Sequence, residues 1–146
     1  MRDAMSAERA AQEPLLSASA AYDETDGGAI ASARAFTSDF LSAVPAVRYG
    51  PVTPDRVDLA KLVVSELVTN AVRHAPGPCR LLLEVHEDVL EISVFDGTAA
   101  APVPRGHDPS RIGQHGVEII VAVCESVTVE PHPAGKRVRA RLSLLS

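Results

Sequence analysis

The stretch Glu66-Leu-Val-Thr-Asn70-Ala-Val-Arg-His74 holds the residue types and spacing best suited to chemistry in this 146-residue chain. Steps of four set Glu66, Asn70 and His74 along one side of a helix, drifting about 40° per step at 3.6 residues per turn. Asn is a mediocre helix former, so its place in mid-helix needs a reason. The neighbours Val63, Leu67 and Ala71 are apolar, so part of the stripe borders a core. A carboxylate and an amide oxygen one turn apart can hold a water and a hard cation, respectively. The plain alternative is a solvated polar stripe, which describes most such patterns.

Asp96 is the second candidate. Period-two alternation puts it on the same face as Leu90, Ile92 and Val94, and Gly97 follows at once. A carboxylate closing an apolar row can accept a hydrogen bond from a ligand amino group inside a pocket, worth roughly 1.5–3 kcal/mol net. Equally, an Asp at the head of a loop can cap nearby amides. The third candidate is Gly113-x-x-Gly116 at a helix start. Free amides there favour anions, and glycine lets a phosphate approach the backbone. Loop-to-helix punctuation explains two glycines as well. What adds weight is the order of the three signals.

The elements that must position these residues can be read from the pattern. Residues 1–28 are rich in Ala, Ser and acids and read as a flexible arm, with a short strand expected around Leu15 to Tyr22. Ile30, Ala33, Phe36, Phe40, Leu41 and Val44 follow helical spacing until Pro45. Thr53-Pro54 starts a second helix, with Thr53 as N-cap, running to about Ala75, where Pro76-Gly77-Pro78 ends it. Its apolar side is read as Leu59, Leu62, Val63, Leu67, Ala71 and Val72. Cys79–Glu87 and Val89–Asp96 alternate as strands joined by a tight turn. Gly97–Ile112, with Pro102, Pro104 and Pro109, is a polar loop of a length that inside a compact domain is usually either disordered or functional. A helix opened by Gly113-Gln-His-Gly116 and carrying Val117, Ile120, Val121 and Cys124, then two strands, 126–130 and 136–144, close the chain. In the last strand Val138, Ala140, Leu142 and Leu144 alternate with Arg137, Arg139, Arg141 and Ser143, the pattern of a sheet covered by helices on one face.

Composition excludes several classes. A net charge of −5 argues against a broad basic face for nucleic acid. Two cysteines, Cys79 and Cys124, are too few and too far apart for a disulfide framework or zinc site. No apolar run is long enough for a membrane span, and no secretory signal core follows the N-terminus, so a cytoplasmic home is expected.

Glu66–His74, Val94–Thr98 and Gly113–Ile120 resemble, in that order, the N, G1 and G2 boxes of the GHKL (Bergerat-fold) ATPases. With the closing Gly135-Lys136-x-Val138, they are most similar to the anti-sigma-factor serine/threonine kinases, over roughly Ala29 to Leu144. The resemblance implies a two-layer α/β (α+β) sandwich at 29–146, its mixed, mainly antiparallel sheet covered on one face by helices. It implies ATP and Mg²⁺ as cofactors. Asn70 would coordinate the metal, Glu66 would be the general base, and Asp96 would accept the adenine amino group. Gly97 and Thr98 would belong to the pocket, Gly113 and Gly116 would cradle phosphates, and His74 would stand at the pocket edge. Arg105 and Arg111 are candidate phosphate partners on the lid, and solvated arginines otherwise. The implied partners are a sigma factor and an anti-sigma antagonist protein, and homodimerisation is common among relatives.

The sequence departs from the family pattern at Thr98, where strong G1 boxes carry glycine. It departs also in the proline-rich lid and in Gln114-His115 between the G2 glycines. These departures motivate an alternative from another class, a non-catalytic nucleotide-binding or protein-binding adaptor of the same fold. The arginine row 137/139/141 reads either as a surface for an acidic partner or as the wet side of the sheet.

Overall fold

Five strands form one sheet in the order β1-β2-β3-β5-β4: β1 Leu16–Tyr22, β2 Cys79–His86, β3 Val89–Asp96, β4 Ser126–His132 and β5 Gly135–Ser143. Three helices accompany them among the described residues: α1 Ala29–Ser42, α2 Pro54–His74 and α3 Gly116–Val123. The computed structural model describes residues 13–23, 27–45, 50–74, 77–97 and 116–145.

Every described strand pair is antiparallel, which corrects the expectation of a mixed sheet. The connection after β3 explains this. The chain returns through α3 to the opposite end of the sheet, runs forward as β4 on the outside, and turns at 133–134 so that β5 comes back beside β3. The segment expected as an N-terminal arm contains β1, which pairs along its whole length with β2 from Leu16↔Val85 to Tyr22↔Cys79. Leu16 to Tyr22 are therefore part of the sheet.

Local chemistry sets the helix boundaries. The Arg56 amide donates to Thr53 Oγ1 at 3.4 Å and the Val57 amide to the Thr53 carbonyl at 3.0 Å, which makes Thr53 the N-cap ahead of Pro54. α1 ends at Ser42, ahead of Pro45. The β2–β3 hairpin turns through Glu87 and Asp88, and Glu87 takes a positive φ of 55°.

The core lies between the helix layer and one face of the sheet. Leu81, Leu83 and Val85 of β2, Leu90, Ile92 and Val94 of β3, and Val138, Ala140 and Leu142 of β5 meet Ala60, Val63, Val64, Leu67, Val68 and Ala71 of α2. The buried stripe of α2 is thus rotated from the sequence reading. Ala60, Val64 and Val68 are buried, whereas Leu59, Leu62 and Val72 are only half-buried. The cause is that α2 packs on α1, α3 and the sheet at once, which widens the buried arc. Each fully buried Val or Leu side chain contributes about 1.5–3 kcal/mol. This layer therefore fixes the position of α2, and with it the residues along its rim. Among the described residues no helix is long and apolar enough to cross a membrane.

Candidate functional site

Glu66 and Asn70 sit on α2 as half-buried residues beside the fully buried Val63, Leu67 and Ala71. Neither makes a hydrogen bond or ion pair with another described residue, so a carboxylate and an amide oxygen stand ready at the margin of the core. Asn costs roughly 0.5 kcal/mol relative to Ala in a helix interior, and no hydrogen bond among the described residues repays it. His74 is the last residue of α2; its side chain lies outside the described residues.

Asp96 closes β3 at 6% exposure, on the face of Leu90, Ile92 and Val94. Directly opposite in register is Lys136, also 6% exposed. Its ammonium lies 3.1 Å from Asp96 Oδ2 and 3.3 Å from Oδ1. Taking a charge out of water costs several kcal/mol per ion, so each group makes the other tolerable. Gly135 lets the two strands close at this point: a Cβ there would run into the Asp96 carbonyl oxygen and come within 2.7 and 2.8 Å of Gly97 backbone carbons. Cys79 is buried beside this corner. Burial pushes its thiol pKa up, and the Asp96 charge adds to the shift.

Topology gathers the candidate elements at one end of the sandwich. Four residues connect His74 to Cys79, and Arg80 pairs with Phe95, so the C-terminal turns of α2 lie at the Asp96 end of the sheet. α3 ends at Val123 close before Ser126, which pairs with Arg141 at the far end of β5. The N-terminus of α3 is Gly116. Gly97 is exposed and begins the loop leaving Asp96. Thr98, Arg105, Arg111 and Gly113 lie outside the described residues. Lys136 and Gly135 were not among the predicted site residues.

Residues 28–142 match the family described as Histidine kinase-like ATPase domain. The chain belongs to that family. Membership implies ATP as the ligand. The fold is similar to the histidine kinase domain of the Erythrobacter litoralis EL346 blue-light activated histidine kinase, at 20% identity and a TM-score of 0.51. That likeness covers 81% of this chain and 60% of that one. A second similar structure is the Acinetobacter baumannii histidine kinase AdeS, at 17% identity and a TM-score of 0.51, covering 88% of this chain and 68% of that one. No curated protein matches the chain by sequence.

The ATPase domain carries a second charged cluster on the sheet face away from the helices. Glu91, 5% exposed, accepts from Arg137 at 3.4 Å, Arg139 at 3.1 Å and Arg141 at 3.0 Å. Arg139 also reaches Glu130 at 2.8 Å, and Arg137 donates to Ser93 at 2.8 Å. The arginine row is thus engaged with its own sheet. Glu84 and His86 bring ligand-capable atoms within 4.8 Å of one another and of Glu91, but three guanidinium groups already supply the positive charge there. The arginines remain part-exposed, so water weakens each pair. Glu91→Ala is expected to destabilise the domain by about 2 kcal/mol, since hydrogen bonds to charged groups are worth roughly 1.5–3 kcal/mol each before screening. Urea unfolding measures it, and an unchanged midpoint would show the cluster to be ornamental.

Proposed function

We propose that the domain binds Mg-ATP at the Asp96 end of the sandwich and transfers a phosphoryl group to a serine or threonine of a partner protein. In this reading it acts in the cytoplasm as an anti-sigma-factor-like regulator, its antagonist protein and a sigma factor competing for it. The observation that supports it best is the buried Asp96 at a strand end, at the same end of the fold as Glu66 and Asn70, which pair with no other described residue.

Each residue has a chemical part. Asp96 accepts a hydrogen bond from the adenine amino group. Asn70 offers a neutral oxygen to Mg²⁺, which suits a hard cation, and Glu66 one turn earlier is the base for the substrate hydroxyl. Mg²⁺, when bound, neutralises phosphate charge, which a chain of net charge −5 does not do with a basic face. Gly97, Thr98, Gly113 and Gly116 flank the phosphates, with His74 and Arg105 at the rim.

Calorimetric titration of ATP with and without Mg²⁺ tests the site. The wild type is expected to gain affinity with Mg²⁺, and Asn70→Ala is expected to lose that gain, by about tenfold or more. Equal affinities for both proteins in both conditions would remove Asn70 from the site. Glu66→Ala is expected to keep ATP and lose transfer to the antagonist. A second reading, a non-catalytic adaptor of the same fold, is favoured by the departures from the family pattern at Thr98 and at Gln114-His115. Wild-type protein that binds ATP yet transfers no label to any matched antagonist would select it.

A further inference from the structure

The buried Lys136 has no part in the reading so far, although it touches the residue assigned to the base. We propose that Lys136 reads the nucleotide base together with Asp96. The carboxylate accepts a hydrogen bond from the adenine 6-amino group, and the ammonium donates one to ring nitrogen N1. This rests on the nucleotide site proposed above and adds to it a specificity-determining residue.

Three observations carry it. First, the two side chains are 7% and 3% exposed, and they close the apolar rows Val138–Leu142 and Leu90–Val94. The fold does not require charge there, because an apolar pair of similar volume commonly serves a core as well or better than a buried ion pair. Second, an ammonium has three donors. Asp96 engages it at 3.1 and 3.3 Å through its two oxygens, and among the described residues Lys136 meets no other acceptor. Third, Gly135 brings the Asp96–Gly97 backbone hard against β5, which fixes donor and acceptor side by side.

An acceptor beside a donor is the complement of the adenine edge, where the 6-amino group adjoins the N1 lone pair. Guanine or hypoxanthine in the same pose presents O6 to the carboxylate and N1–H to the ammonium, so both contacts turn repulsive. Sites that hydrogen-bond a substrate edge reject the mismatched analogue strongly, here by about 100-fold or more.

The test compares ATP, GTP and 1-deaza-ATP, in which N1 is replaced by C–H, by equilibrium binding to the full chain and to Lys136→Met. Wild-type protein is expected to bind 1-deaza-ATP about tenfold more weakly than ATP, the effect of one unpaired buried donor. In Lys136→Met the two nucleotides are expected to bind alike, whereas a merely structural lysine would weaken both equally and preserve their ratio. If Lys136→Met does not fold, the wild-type comparison of the three nucleotides decides alone. Protein that binds ATP but takes 1-deaza-ATP or GTP equally well overturns the role of Lys136 and leaves the nucleotide site standing. Protein that binds none of the three overturns both.

Discussion

Asp96→Ala is expected to lower the unfolding free energy by about 3–5 kcal/mol and to abolish measurable ATP binding. The stability loss comes from Lys136 more than from Asp96. With its partner gone, the ammonium stays at the end of a core row, where its side chain is only 7% exposed, and it must either desolvate unpaired or drag its stem toward water. Removing both charges avoids that cost. The double variant Asp96→Ala/Lys136→Met is therefore expected to recover most of the lost stability while still failing to bind ATP. Urea unfolding with calorimetry on the same samples separates the two effects. A single variant costing less than about 1 kcal/mol would mean that Lys136 reaches solvent. A double variant that regains ATP affinity would take Asp96 out of the base site.

That pair also shows where the sequence is legible and where it is not. Thr53-Pro54 announces its helix because capping is a contact between near neighbours in the chain. The alternation of Leu90, Ile92, Val94 and Asp96 places the carboxylate inward for the same local reason. Carried one step back from Val138, the alternation of the last strand puts Lys136 on the apolar face too. A lysine at a strand start nevertheless reads as surface, because lysines are almost never buried unless paired. The pairing that overrides this joins residues 40 positions apart. Glu91 was hidden in the same way, its three arginines standing 46 to 50 positions away. The rotated stripe of α2 and the all-antiparallel sheet depend on which elements become neighbours, and no local period encodes that. For the site, the sequence supplied Glu66, Asn70 and Asp96 as residues facing or bordering the core. It did not supply Lys136, the charge beside Asp96.

Gly135→Ala is the second large effect, expected at about 2–6 kcal/mol of destabilisation. Two costs combine. Gly135 has a φ of 153°, a region that side-chain-bearing residues enter at roughly 1–3 kcal/mol. The new Cβ would also meet the Asp96 carbonyl oxygen and Gly97 backbone carbons at 2.7 and 2.8 Å. These are backbone atoms, which cannot swing away as the tip of a side chain can, and overpacking of this kind costs roughly 1–3 kcal/mol. Gly77→Ala is the matched control. Its φ of 80° is also positive, but nothing lies within 4 Å of the added Cβ, so only the conformational cost of about 1–2 kcal/mol applies. The difference between the two variants isolates the clash. Relief of that clash must move the end of β3 away from β5, and Asp96 moves with it, away from Lys136. Gly135→Ala is therefore expected to weaken ATP binding well below its melting transition, whereas Gly77→Ala leaves binding intact. Equal losses of stability in the two variants, with ATP binding unchanged in both, would show that the corner adjusts freely. Asp96 would then be held by its own strand rather than by the close approach of β5.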